Sequence, residues 1–320
     1  MGGAGESVPP KGSGSKVACA GEGRKVTTEP TDAPARGQRL PGRVTQRRRR
    51  SGVIATYFTP KEPIPPAATV VLGILSFAIP LGLWSLISYT DFNGVASQDF
   101  LPTPTTVLGA LRDLFTQDAF TNDIWDSSRR ILLGFLISAI VGVPLGILMG
   151  SFRSIQALFE PVFSFARYLP ASAFIPLLIL WVGLEETEKV SIIIIGSFFQ
   201  LTLLVANISA GVQKELLNIA YTLGASRRQV FTRVLIPASL PGVVDILRII
   251  IGWAWTYLIV AELVGAESGI GHVILAAQRT AYTEAIIAGI LSIGILGVFT
   301  DAFFRILHHL FFPYVERISR

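Results

Sequence analysis

Arg167 lies inside an apolar stretch that covers residues 157–183. On a helix with a rise of 1.5 Å per residue it would lie about 15 Å from the start of that stretch. This depth is near the centre of a bilayer, where a charge costs at least ~2.5–3.5 kcal/mol. The guanidinium fork suits the paired oxygens of an oxyanion. Two interpretations remain open: a transient cation on an anion pathway, and an ion pair with Glu262 or Glu160.

Three further side chains in apolar segments could contact a solute. Gln200 could donate a hydrogen bond to it, or pack between helices. Trp255 could line a pathway or belong to an interfacial aromatic belt. Glu262 could gate an external mouth or contact an external protein, and we expect it to pair with an arginine. With Arg167, these residues form the candidate solute pathway.

The chain lacks the motifs of known catalytic sites. It has no HExxH or GxSxG pattern and no GxxxxGK[ST] phosphate loop, so any ATP that drives it must bind to another chain. The single cysteine, Cys19, excludes an intramolecular disulfide and a Cys-rich metal site. His308 and His309 do not make a metal site by themselves. We therefore expect a chain that is not an enzyme and that binds no metal or cofactor itself.

The composition is that of an integral membrane protein. Of the 320 residues, 51% are hydrophobic and only 15% are charged, and the mean hydropathy is +0.55. Soluble domains carry about 25% charged residues. The chain therefore has too few charges to cover a surface that faces water.

Positive charge is concentrated at the N-terminus. Residues 1–66 hold 12 Lys/Arg against 5 Asp/Glu, whereas residues 67–320 hold 15 against 17. The main body is therefore not expected to bind nucleic acid. Residues 1–60 are rich in Gly, Pro and Ser and include four Arg at 47–50. They are predicted to form a disordered basic tail, which the positive-inside rule places in the cytoplasm.

Residues 61–320 are predicted to form an all-α membrane domain with six transmembrane helices. Six apolar segments are each close to the ~20 residues that span ~30 Å of hydrocarbon. They lie at 67–88, 131–150, 157–183, 190–212, 242–264 and 285–307. Backbone groups in a bilayer must be satisfied internally, so each segment should be a helix.

The charges of the connecting loops favour both termini on the cytoplasmic side, because Lys and Arg dominate the connections after the second, fourth and sixth segments. In the long first external loop, apolar residues recur at helical spacing over 104–115, and Thr103 or Thr105 could cap that helix. The external loop 265–283 is predicted to be partly re-entrant, with a helix over 273–279.

The segment 214–241 is too polar to cross a membrane. Its apolar residues predict two short cytoplasmic helices separated by Gly224, with Pro237 and Pro241 ending the second. Small Ala220 and Gly224 would let another surface approach closely. Arg227 would face that partner or lipid headgroups. The alternative is a simple connecting loop.

This segment resembles the EAA coupling loop of ATP-binding-cassette importer permeases. The pattern is Glu-Ala-Ala, three residues, Gly, nine residues, an apolar residue, any residue, an apolar residue and Pro. Its matching positions are Ala220, Gly224, Val234, Ile236 and Pro237, whereas Asn218 and Ile219 depart from it.

The wider resemblance covers residues 67–320 and is closest to the nitrate/sulfonate/taurine/bicarbonate branch. It is carried by LPTPTTV at 101–107, GVPLGILMGSFRSIQALFEP at 142–161, FARYLPASAFIPLLILWVG at 165–183, YTLGASRRQVFTRVLIPASLP at 221–241 and GWAWTYLIVAELVGAESGIGHVI at 252–274. It implies a type I importer permease that crosses the bacterial inner membrane several times and carries a small anion.

The resemblance also implies the partners. They are a cytoplasmic ATPase subunit that holds ATP and Mg²⁺, a second permease copy forming a homodimer, an external substrate-binding protein, and membrane lipid. The residues implied to meet the ATPase are Asn218, Ala220, Gly224, Ala225, Arg227, Val234, Ile236 and Pro237. An ATP-independent secondary transporter is the alternative function.

Overall fold

The computed structural model describes residues 65–90, 100–116 and 120–313, and in these ranges every regular element is a helix. Five of the described helices are long and apolar enough to cross a membrane, or six when one bent pair is taken as a single span. The prediction of an all-α membrane protein is confirmed. The predicted tail at 1–60 lies outside the described residues.

The first helix, α1 (Pro66–Thr90), is anchored at its C-terminal end. Trp84 Nε1 donates to the carbonyl of Pro102 at 3.1 Å, and Ser88 Oγ donates to the carbonyl of Leu101 at 3.0 Å. Most other side chains of α1 are exposed on this single chain, as expected for a helix that contacts lipid or another protein.

The short helix α2 (Pro104–Thr116) is the amphipathic helix that the apolar spacing predicts over 104–115. Thr103 Oγ1 accepts a hydrogen bond from the backbone N–H of Thr106 at 3.3 Å and so caps the first turn. Its apolar face, which includes buried Val107 and Leu114, packs against the bundle.

The centre of the bundle is the pair α3 (Phe120–Ser151) and α6 (Glu186–Ala210). Small residues recur every fourth position along one face of α3: Gly134, Ser138, Gly142, Gly146 and Gly150. A Cβ on Gly146 would lie 2.6 Å from the backbone oxygen of Thr202. The two backbones therefore approach closely, as is typical of helix pairs in membranes.

The third predicted span is not one straight helix. It consists of α4 (Arg153–Ala166), a 3₁₀ turn (Ala171–Phe174) and α5 (Ile175–Val182). The two halves are bent by 82°. Pro170 adopts an extended conformation between them (φ −66°, ψ 120°), and its ring cannot donate a hydrogen bond to the preceding turn.

The polar segment at 214–241 forms α7 (Lys214–Thr222) and the start of α8 (Arg227–Gly265). The prediction that Pro237 and Pro241 end the second short helix is wrong, because α8 continues through both. A π-helical turn over Val230–Leu235 changes the hydrogen-bond register directly before Pro237. Pro241 is buried in the bundle, where the packing of neighbouring helices allows prolines within a membrane helix.

Two helices complete the described chain: α9 (Ile270–Arg279) and α10 (Thr283–Phe311). Both pack against α8 and against each other. The helix predicted over 273–279 therefore begins three residues earlier, at Ile270.

Candidate functional site

The junction between α7 and α8 has a defined turn on each side of Gly224. Gly224 has φ +83°, a conformation that favours glycine. The N–H of Ala225 donates to the carbonyl of Ala220 at 3.0 Å, and the N–H of Gly224 donates to that of Tyr221 at 2.9 Å. This pair of bonds is a Schellman motif, which ends α7 and fixes the direction of the chain that follows.

The start of α8 is held by a capping box. Ser226 Oγ accepts from the N–H of Gln229 at 3.4 Å, and Gln229 Oε1 accepts from the N–H of Ser226 at 2.8 Å. The spacing Ser-x-x-Gln is a known helix start, so the sequence contained this signal.

A shallow cavity of about 340 Å³ lies in the angle between the two helices. We name it the small-residue groove, and its lining residues are Ala220, Leu223, Gly224, Ala225, Gln229, Arg233 and Val234. Leu223 is 82% exposed at its edge. Four of the eight residues predicted to meet an ATPase thus share one surface with an exposed leucine.

The other four predicted residues are not among those that line this groove. Asn218 is exposed on α7, and its carbonyl accepts from Thr222 Oγ1 at 2.9 Å. Arg227 lines a separate cavity of about 400 Å³. Ile236 is half-buried against the core, and Pro237 follows it on α8.

The candidate pathway residues divide into two groups. Arg167 is exposed at the end of α4, where the bent span breaks, and it lines a cavity of about 190 Å³ together with Gln200. Within the described ranges, Arg167 forms no ion pair with Glu262 or with Glu160. The structure therefore brings Arg167 and Gln200 together and places Glu262 elsewhere.

Glu262 is fully buried near the end of α8, with 0% exposure. Its Oε1 accepts from Arg130 Nη1 and from Ser127 Oγ, each at 2.7 Å, and its Oε2 accepts from the N–H of Gly271 at 2.8 Å. The expected arginine partner is present, but it is Arg130. Arg130 also binds both carboxylate oxygens of Glu186 at the start of α6.

The same cluster caps the N-terminus of α9. The N–H groups of Gly269, Ile270 and Gly271 donate respectively to Asp123, to Ser127 and to Glu262. Three orphan donors of this helix are thus satisfied by side chains of α3 and α8. The position of Glu262 indicates that it holds helices together.

Trp255 is also apart from Arg167. It is 4% exposed, and its Nε1 has no hydrogen-bond partner within the described part of the chain. It borders an apolar groove of about 420 Å³ between α3, α8 and α10. Among the described residues, no group of three or more His, Cys, Asp or Glu could hold a metal ion.

Sequence reasoning did not single out Leu223 or Arg130 as parts of these sites, nor Tyr257, which lines the cavity of Arg167. Apolar and small side chains alternate over residues 219–224, so the sequence could have indicated Leu223 as part of this surface. The roles of Tyr257 and Arg130 depend on contacts between distant helices, and neither has a local signal.

The amino-acid sequence of the chain is similar to those of several known membrane transport proteins. Residues 142–312 match the family described as binding-protein-dependent transport system inner membrane component. A protein of Brucella melitensis that is named as an ABC transporter permease is 36% identical over 230 residues, which is 72% of this chain and 91% of that protein. A protein of Bacillus subtilis named for aliphatic sulfonates transport is 34% identical, covering 73% of this chain and 84% of its own length. The taurine transport permease of Escherichia coli is 30% identical, covering 78% and 92%.

Proposed function

The chain belongs to the family of binding-protein-dependent transport system inner membrane components, and on that premise we propose what drives it and what it carries. It is the permease subunit of an importer in the inner membrane. A separate cytoplasmic ATPase holds ATP and Mg²⁺ and docks in the small-residue groove. An external binding protein delivers a small oxyanion, and the names of two relatives favour the sulfonate class.

The small-residue groove is the observation that carries this proposal. An exposed leucine beside Ala220 and Gly224 leaves apolar surface and a recess that a partner side chain can fill. Arg233 at its rim supplies a charge for an acidic partner residue. The Schellman motif and the capping box hold the groove in one shape, so a push on it moves α7 and α8 together.

The length of α8 supports transmission of that push. The helix is continuous over the 39 residues of Arg227–Gly265, which corresponds to about 58 Å. The groove lies at its first turns, Tyr257 lies at the cavity of Arg167, and Glu262 lies near its far end. A displacement by the ATPase therefore reaches the candidate pathway through one continuous helix. Two copies of the chain would enclose the pathway between them.

The test is affinity purification of the chain from its native membrane, followed by identification of the proteins recovered with it. Leu223→Asp places a charge in the groove and should abolish recovery of the ATPase. Thr222→Asp places the same charge one residue earlier, outside the groove lining, and should leave recovery unchanged. Equal recovery with both variants would contradict docking in the groove.

A further inference from the structure

Residues 167–170 interrupt a membrane-spanning segment. Together, α4 and the helical stretch Ala171–Val182 are long and apolar enough to form one membrane span, although they are bent by 82°. Non-helical backbone at membrane depth is tolerated only where it is buried in protein or lines a water-filled cavity. Tyr168 is 75% exposed on this single chain. Arg167 beside it is also exposed, and a guanidinium that faced lipid would be costly, so this face borders water or another protein chain.

The break forms one wall of the cavity of about 190 Å³, and α6 and α8 form the other. Gln200 of α6 and Tyr257 of α8 line that second wall. A Cβ on Gly196 would lie 2.6 Å from Cδ2 of Tyr257, so only glycine lets the phenol ring lie against α6 at this point. The volume of about 190 Å³ is well above the ~30 Å³ that one water molecule occupies in the liquid. This space suits a sulfonate or nitrate group with some water.

The charge of the lining selects an anion. Among the described residues, the lining of the cavity includes Arg167 and no Asp or Glu. Arg167 Nη2 donates to Tyr168 Oη at 3.1 Å, and Arg167 Cζ lies 4.9 Å from the centroid of the Tyr168 ring. The Tyr168 ring therefore orients the guanidinium of Arg167 without neutralising its positive charge. One permanent positive charge beside neutral amide and phenol donors is the composition of a site for a monovalent oxyanion.

We propose that Arg167, Tyr168, Gln200 and Tyr257 form an oxyanion subsite in the translocation pathway. The subsite binds the sulfonate or nitrate group of the solute as it passes the bend, and the single cation keeps the binding weak enough for the anion to leave. This inference rests on the proposed function, since it requires that the importer carries an anion.

The test measures uptake of radiolabelled taurine, methanesulfonate and nitrate by cells in which a variant replaces the natural chain. Arg167→Gln removes the charge, and uptake of the transported anion should fall at least about 10-fold, as expected for loss of a charge-assisted hydrogen bond. Arg153→Gln is the matched control. It changes an exposed arginine at the start of the same helix, outside the cavity lining, and should leave uptake unchanged.

Arg167→Lys keeps the charge but not the fork. It should retain part of the uptake and change the ratio of nitrate to methanesulfonate transport at least about threefold. Wild-type rates and an unchanged ratio in this variant would overturn the subsite, even if Arg167→Gln fails to insert. Failure of the natural chain to transport any of the three anions, while an ATPase still co-purifies with it, would instead refute the anion class in the proposed function.

Discussion

Arg130 Nη1 lies 2.7 Å from Glu262 Oε1, and both side chains are buried. The pair joins α3 to α8 across 132 residues of sequence. Arg130 Nε also donates to Glu186 at 2.7 Å, so one guanidinium connects three helices. Breaking a buried ion pair by removing one partner typically costs about 3–5 kcal/mol, because a charge is left without compensation. The cluster should therefore be one of the points at which the bundle is most sensitive to substitution.

Glu262→Gln should lower the stability of the bundle by about 1.5–3 kcal/mol, because it removes the buried carboxylate partner of Arg130 while Glu186 still compensates the guanidinium. Glu186→Gln removes a partner of the same arginine, but the Glu186 side chain is 64% exposed. Its loss should cost about 1 kcal/mol or less, as for exposed pairs. Thermal melting of the purified protein in detergent compares the two variants. Equal melting temperatures would show that the buried pair does not hold the helices.

Gly146→Ala should destabilise the contact between α3 and α6 by about 1–3 kcal/mol, because the new Cβ would lie 2.6 Å from a backbone oxygen that cannot move aside. Gly294→Ala is the matched control on α10, where a Cβ meets no described residue within 4 Å. That substitution should be neutral or slightly stabilising, since alanine favours a helix. Melting curves of both variants check the difference. A loss of similar size in Gly294→Ala would rule out close packing as the cause.

Much of the fold follows from local patterns in the sequence. The amphipathic helix α2, the helix pair around Gly224 and most of the apolar segments could be predicted, because hydrophobic periodicity and turn residues act over a few positions. The bend at Pro170 could not be predicted in this way, because Pro144 and Pro241 both lie inside continuous helices. Proline alone does not distinguish a broken span from an unbroken one.

The N-terminal part of α3 shows a second limit. The predicted span begins at 131, but the helix begins at Phe120. Its first turns carry Asp123, Ser127 and Arg130, which share one face and make hydrogen bonds to α8 and α9. Hydropathy alone predicts a loop for such polar residues, because it takes no account of hydrogen-bond partners that lie more than a hundred residues away in the sequence.

Comparison of Gly224→Asn with Gly224→Leu distinguishes the role of Gly224 in the turn from its role in docking. Asparagine tolerates positive φ, so Gly224→Asn should keep α7 and its stability, whereas leucine should add about 1–2 kcal/mol of backbone strain. A Cβ at this position meets no described residue within 4 Å, so both side chains point into the space a partner would use. ATP-driven uptake should therefore fall in both variants, although only one is strained. Normal uptake by both would count against an ATPase contact at Gly224.

Trp255→Phe tests whether the indole N–H of Trp255 serves solute or structure. Its Nε1 makes no hydrogen bond to any described residue, so the substitution removes a buried polar group without breaking a bond. Loss of the unpaired N–H and loss of indole packing act in opposite directions, so stability should change little, and uptake should be unchanged, because the surrounding groove is apolar and lies away from the lining of the Arg167 cavity. Trp84→Phe is the control: it loses the 3.1 Å bond to Pro102 and should cost about 1 kcal/mol. Reduced uptake by Trp255→Phe at unchanged melting temperature would instead assign its N–H to the anion pathway.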